Sequence, residues 1–344
     1  MRSQATATAR RTRLLVGVAV MGLGTLVVLG GLVRLSGERG GPASVTSPPA
    51  TPPVVAASTA PEGTLGAGSG LPSAPPSAPP VDLVAVGDIG RCDSTADDDT
   101  GRLAASLPGA IALLGDTAYP SGTMADLEQC FGASWGQVKD RVLFAATGNH
   151  DDMTDRGLPL QRYLGEAAVR GGYTYFAQDL GAWHVVVLDA NCSVVIGGCG
   201  PDSPQVRWLK ADLAASSARC TLALWHQPRW SSGDHGSLAD SASFWDALYA
   251  AGADLVLNGH DHDYERFVAQ DPAGAPDPVR GITEFVVGTG GGVPRPFEHP
   301  LATSVARTSE TFGVLALTLR ADGWSYRFEG TSGTFTDAGD ATCH

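Results

Sequence analysis

Five short polar clusters, each closing an apolar run, hold the side chains of this sequence best suited to chemistry. They are Gly87-Asp88, Gly115-Asp116, Gly148-Asn149-His150-Asp151, Trp225-His226 and Gly259-His260-Asp261-His262. Taken singly, each has an ordinary explanation: a turn-forming aspartate, an amide in a loop, an interior histidine with a hydrogen-bonding partner. Independent turns give no reason for these residue types to recur at five run ends, so the clusters read as one site. Carboxylate, amide and imidazole donors without a thiolate favour Fe, Mn or Zn. The donors exceed the needs of one ion, and a carboxylate such as Asp116 can bridge two. Two ions about 3.5–4 Å apart suit phosphoryl transfer: they lower the pKa of a bound water and offset charge on the phosphoryl oxygens. The departing alkoxide still needs an acid, and His150 lies beside the ligand candidate Asn149.

Such side chains need elements that carry them to one rim. Near-continuous Val, Ile, Leu and Ala content predicts strands buried on both faces at 82–86, 110–114, 142–146, 183–188, 221–224 and 254–257. Helices are expected near 97–107, 123–139, 203–216 and 238–251; Val206, Leu209 and Leu213 share one face of the third, and Phe244 and Leu248 one face of the fourth. Later strands, read as antiparallel, fall at 282–287, 313–319 and 324–329. The result is an α/β fold with helices over a central sheet system. A glycine precedes the polar residue in four of the five clusters and lets the backbone turn sharply there. Ligands of open α/β sheets bind beyond the carboxyl ends of strands, which is where the clusters sit.

The 344 residues divide unevenly. Residues 14–33 contain no charge, about the length of a bilayer span, and arginines at 2, 10, 11 and 13 precede them. The expectation is a cytoplasmic stretch at 1–13 and a transmembrane anchor or signal segment at 14–33. Residues 34–80, rich in Pro, Ala and Ser, read as a disordered stalk, and 81–344 as the catalytic domain. That placement implies a single-pass protein of the cell membrane with its domain outside the cytoplasm, or a secreted one. All six cysteines lie beyond the stalk, which suits disulfides in an exported domain. Only Cys192 with Cys199 is suggested by proximity, and no C-x-x-C spacing supports a zinc ribbon. The chain carries −13; residues 1–80 hold six arginines and two glutamates, so the remainder carries −17. This excludes a general nucleic-acid surface, but a small anionic substrate remains compatible with metal ions in the site.

With Tyr119 following Asp116, and His226-Gln227-Pro228 completing the fourth cluster, the ordered set resembles the calcineurin-like metallophosphoesterases. Within them it is most similar to the purple acid phosphatases, over roughly 81–344. The wider superfamily opens with Asp-x-His where this chain has Asp88-Ile89-Gly90, and Tyr119 matches the purple branch. The resemblance implies a four-layer α/β/β/α sandwich of two mixed sheets flanked by helices. It implies a first ion, Fe(III), among Asp88, Asp116, Tyr119 and His262. A divalent Fe, Zn or Mn would take Asp116, Asn149, His226 and His260. His150 would stabilise the phosphoryl group or protonate the leaving group, with Asp151 orienting it. His235, in Asp234-His235-Gly236, would be a second substrate-facing histidine, and Tyr264-Glu265-Arg266 supporting structure. The larger plant-type enzymes carry an amino-terminal fibronectin-like domain where this chain has its stalk.

The expected activity is hydrolysis of a small phosphate ester, a monoester, by a metal-bound hydroxide. A phosphodiesterase on the same scaffold and an inactive surface-binding protein are the alternatives. Outside the constellation, Asp97-Asp98-Asp99 reads as a solvated face or helix start, and Gly288–Gly292 as a shaper of the substrate rim. His184 reads as structural, His299 and His344 as isolated, and Asn191-Cys192-Ser193 as a glycosylation sequon.

Overall fold

The computed structural model describes residues 78–344. The stretch at 1–13, the segment at 14–33 and nearly all of the 34–80 stalk lie outside the described residues. Among the described residues, no helix is long and apolar enough to cross a membrane.

Among the described residues, thirteen strands form two mixed sheets. The first holds β1 (Val81–Val86), β2 (Ala110–Leu113) and β3 (Val142–Ala145), parallel to one another. The second is built from β4 (Phe176–Leu180), β5 (Trp183–Val187), β6 (Cys220–Leu224), β7 (Leu255–Asn258), β8 (Tyr264–Phe267), β9 (Thr283–Val287) and β10 (Ser304–Thr308). The chain then returns to the first sheet with β11 (Gly313–Arg320), β12 (Gly323–Gly330) and β13 (Ala338–Thr342). The strand orders are β13-β12-β11-β1-β2-β3 and β10-β8-β9-β7-β6-β5-β4.

The period-two alternation of buried strands sorts their side chains between two cores. Val185, Val187, Leu222, Leu224, Leu255 and Leu257 join Leu83, Ala85 and Leu113 in the core between the sheets. Val186, Ala223, Trp225 and Val256 point the other way, onto Val206, Leu209, Phe244 and Leu248 of helices Pro204–Ala215 and Ala242–Ala251. The helical layer over the first sheet includes Ala96–Ser106. The four-layer arrangement implied by the resemblance is therefore present, and the central sheet system read from the strand pattern alone is two sheets.

The helix expected over 123–139 is four short pieces: Met124–Asp126, a π turn at Leu127–Phe131, Gly132–Trp135 and a 3₁₀ stretch at Gly136–Arg141. Gly132 and Gly136 weaken a continuous helix, and Cys130 is tied by a disulfide to Cys92. The other disulfides join Cys192 to Cys199, as proximity suggested, and Cys220 to Cys343. Strands β4, β8, β10 and β13 were not foreseen. Three of them are edge strands, whose one-sided burial leaves no long apolar run to read.

Candidate metal centre

The parallel strands of both sheets deliver their carboxyl ends to one place. Asp88 follows β1, Asp116 and Tyr119 follow β2, and Asn149 and His150 follow β3, while His226 follows β6 and the His260–His262 stretch follows β7. Backbone bonds stitch the loops together across both sheets: Asp88 N donates to Gly115 O, Tyr119 N to Gly90 O, Gly259 N to His226 O, and Gly87 N to Val287 O. The His260 amide donates to Asp88 Oδ2 at 2.8 Å, and the His150 amide to Asp116 Oδ1 at 2.8 Å.

The sharp turns are made in part differently from the expectation. Asp88 (φ 61°), Asp116 (φ 47°) and His260 (φ 75°) themselves adopt left-handed backbone, a conformation that costs a side-chain-bearing residue about 1–2 kcal/mol. Gly115 (φ 89°) turns in this way too, as expected, whereas Gly87, Gly148 and Gly259 permit close approach. A Cβ on Gly259 would lie 2.6 Å from Asp88 Oδ2, and one on Gly148 would overlap the Asp116 backbone at 2.1 Å.

Seven side chains converge as a result. The Tyr119 hydroxyl lies 2.9 Å from Asp88 Oδ1, 3.2 Å from Asp116 Oδ2 and 3.0 Å from His262 Nε2. On the other side of Asp116, His226 Nε2 lies 3.4 Å from the same Oδ2, 3.1 Å from Asn149 Oδ1 and 3.3 Å from His260 Nδ1. Asp116 Oδ2 thus stands between two groups of donors. Backbone carbonyls fix two rings: His226 Nδ1 is 2.8 Å from Leu114 O and His262 Nδ1 is 2.8 Å from Val293 O, so each turns Nε2 inward.

Charge in the cluster is unbalanced. Among the described residues the only salt-bridge partners of the buried Asp88 and Asp116 are imidazoles. Burial favours neutral His226, but the Asp116 carboxylate outweighs it and raises the ring to about 10. Burial alone would raise Asp116, yet His226 and His150 hold it below the usual carboxylate range. His260 falls to about 3 through burial and the neighbouring His226 and His235. Burial, then Asp88 and Asp116, push the Tyr119 phenol well above its ordinary range. Two buried carboxylates ion-paired only with imidazoles among the described residues, with inward-facing oxygen and nitrogen donors around them, fit multivalent cations.

Around this cluster, one expectation changes. Asp151 does not orient His150. It is the third residue of the short helix Asn149–Asp152, and its carboxylate turns back to accept from Gly148 N at 2.9 Å and Thr117 N at 3.0 Å. Burial and Asp116 push it up to about 7. The His150 ring is held by the Pro120 carbonyl, 2.7 Å from Nδ1, which leaves Nε2 3.9 Å from Asp116 Oδ2. His235 does reach the centre, its ring centroid 4.3 Å from that of His260. Its partner is Asp261, whose Oδ1 accepts from the His235 amide at 2.8 Å and lies 2.9 Å from Nδ1. Asp261 was missed although it lies between two ligand candidates; its position in Gly259–His262 was the available signal.

The remaining motifs also settle. Gly288–Gly292 backs the centre: Gly290 N donates to Gly87 O, Gly292 N to Asp88 O, and a Cβ on Gly292 would meet the His262 ring at 2.7 Å. The Asn191 sequon is structural, since its buried amide donates to Thr147 O and accepts from Gln227 Nε2. Asp97–Asp99 begin helix Ala96–Ser106, but Asp97 is buried and faces Arg91 N. His184 bridges Asp179 and Asp212, away from the centre. Arg266 and Tyr264 both bind Asp337, consistent with a supporting role.

Two mixed sheets with oxygen and imidazole donors on their facing loops give the fold of the metallophosphoesterases. The chain belongs to the calcineurin-like phosphoesterase family, whose model matches residues 82–264. It is 28% identical to purple acid phosphatase 15 of Arabidopsis thaliana over 232 residues, 57% of this chain and 42% of that protein. To purple acid phosphatase 22 of the same plant it is 26% identical over 269 residues, 70% of this chain and 57% of that protein. The chain thus spans about half the length of these curated relatives. A purple acid phosphatase from yellow lupin (Lupinus luteus) seeds shares the fold, with TM-score 0.65 and 17% identity over 78% of this chain and 55% of that one.

Proposed function

We propose that this protein is a metal-dependent phosphatase that hydrolyses phosphate monoesters at a two-metal centre. The observation that carries the reading is the position of Asp116 Oδ2 between the Asp88–Tyr119–His262 group and the Asn149–His226–His260 group. Asp88, Tyr119 and His262 would hold a first ion, and Asn149, His226 and His260 a second, with Asp116 common to both. A phenolate ligand favours Fe(III) at the first position and leaves Fe, Zn or Mn for the second. Bound there, the ions would supply an activated water and neutralise phosphoryl charge.

The chain's own residues do the rest. Leu114 and Val293 carbonyls keep His226 and His262 in the tautomer that faces inward. His150, pinned through Nδ1 by Pro120 O, presents Nε2 to donate a proton to the leaving oxygen. His235, held by Asp261, faces the substrate from the opposite loop. The three disulfides suit an oxidising compartment. With 14–33 as an anchor and 34–80 as a stalk, the enzyme would work outside the cytoplasm on a tether.

The test is turnover of nitrophenyl phosphate against bis-nitrophenyl phosphate by the purified protein, with metal content measured. The monoester is expected to be preferred, and Asn149→Ala and His260→Ala each to lower turnover by about 100-fold, the order seen when a fixed catalytic contact is removed. A clear diester preference overturns the substrate class. Activity unchanged by both substitutions overturns the two-metal reading.

A further inference from the structure

Two clefts flank the centre, and they differ in charge. The cleft beside Asn149 and His260, about 270 Å³, is lined mostly by uncharged groups such as Asn191, Ser193 and Gln227. The cleft beside Tyr119, His150 and His262, about 510 Å³, has Arg91 and Arg295 in its wall. His150, the proposed acid for the leaving oxygen, lines the second cleft and not the first. We propose that the second cleft receives the leaving group, and that the preferred leaving group carries its own oxyanion, which the two arginines bind. The inference rests on the phosphatase reading above and names its substrate class.

The arginines have donors to spare. Arg91 spends Nε and Nη2 on Asp93, whose side chain is 72% exposed, and its guanidinium lies 5.9 Å from the Tyr119 ring centroid. Arg295 uses Nη1 on Asp234. Arg91 Nη1 and Arg295 Nε and Nη2 have no partner among the described residues. Of the acidic groups in the same wall, Asp126 is committed to the Thr123 amide, and Asp93 occupies the Nε–Nη2 edge of Arg91, which leaves Arg91 Nη1 and the Nε–Nη2 edge of Arg295 to an incoming anion. Planar guanidinium forks bind phosphate or carboxylate in pairs of hydrogen bonds. In a domain carrying −17, the free Arg295 edge with Arg91 Nη1 beside His150 would select for a second negative charge.

In the reaction, a water oxygen bonds to phosphorus and the bond from phosphorus to the bridging oxygen breaks. The bridging oxygen takes the His150 Nε2 proton, and a proton lost from the water restores the imidazolium. The released oxyanion leaves from the arginines. The experiment measures kcat/KM of the full-length protein for pyrophosphate, phosphoglycolate and nitrophenyl phosphate. Combining Arg91→Gln with Arg295→Gln is expected to lower the ratio of an oxyanion substrate to nitrophenyl phosphate at least tenfold; the corresponding Lys pair should lose less. A drop for pyrophosphate alone assigns a second phosphate, a drop for phosphoglycolate alone a carboxylate. Ratios within twofold of wild type for both overturn the proposal. Absence of all turnover in wild type would instead sink the phosphatase reading. Calorimetric binding of methylenediphosphonate then decides the arginine claim, with at least tenfold weaker binding expected in the double variant and equal binding overturning it.

Discussion

Tyr119 is the residue on which the metal assignment turns. Its hydroxyl touches donors from three separate loops, and its phenol is pushed well above the ordinary range by burial and by Asp88 and Asp116. A phenolate ligand would need a strongly charged cation beside it, which is why the proposed Fe(III) is assigned to the Tyr119 side. The Tyr119→Phe variant should lose a visible absorption band from the iron-loaded protein. A colourless wild-type enzyme, fully active with zinc or manganese, would refute Fe(III). The candidate ligands other than Tyr119 stood out in the sequence because their clusters close apolar runs, whereas Tyr119 was singled out by the family resemblance. The partners of His150 and His235 did not stand out. Pro120 offers only a carbonyl, and Asp261 looks like one more member of a ligand motif; neither role has a residue-type signature.

His184 shows how a buried titratable group can join elements instead of serving the centre. It lies in β5, with Nδ1 donating to Asp179 Oδ1 of β4 at 2.9 Å and Nε2 to Asp212 Oδ2 of helix Pro204–Ala215 at 2.7 Å when the ring is charged. Burial opposes its charged form, but the hydrogen bonds to Asp179 and Asp212 outweigh burial and raise its pKa from 6.5. A histidine with a raised folded-state pKa contributes stability in full below its unfolded value. That contribution fades as pH rises from about 6.5 through the folded value. Thermal unfolding should therefore show wild type losing more Tm than His184→Gln between pH 6 and pH 9. Parallel pH dependences would remove this link. Strands and helices with continuous or periodic apolar residues were readable, down to Val206, Leu209, Phe244 and Leu248 in the outer core. The 123–139 segment was not, because its breaks follow from glycines and a disulfide and not from its apolar pattern.

Across the whole domain, the Cys220–Cys343 disulfide ties the chain's last residues to β6 over a separation of 123 residues. Closing a loop that long removes unfolded-state entropy worth about 4–5 kcal/mol in the chain-entropy description. Replacing both cysteines by Ala should lower Tm by about 10 °C, measured with the other two disulfides intact. A shift under about 2 °C would show that the packing of β13 against β12 already secures the terminus. Cysteine count foretold an oxidised domain, but only the short Cys192–Cys199 loop could be paired without the fold.

The amino-acid sequence alone determined the inventory of donors, their order, and their delivery at strand ends, because those depend on local apolar runs and the residues that close them. It also determined the acidity of residues 81–344. Tertiary structure decided that the donors come from two sheets and meet about one carboxylate oxygen of Asp116. It decided too that Asp151 braces Gly148 and Thr117, and that Arg91 and Arg295 share a wall with His150. Those outcomes depend on which distant loops pack together, and hydrogen-bond partners across such contacts leave no trace in the spacing along the chain.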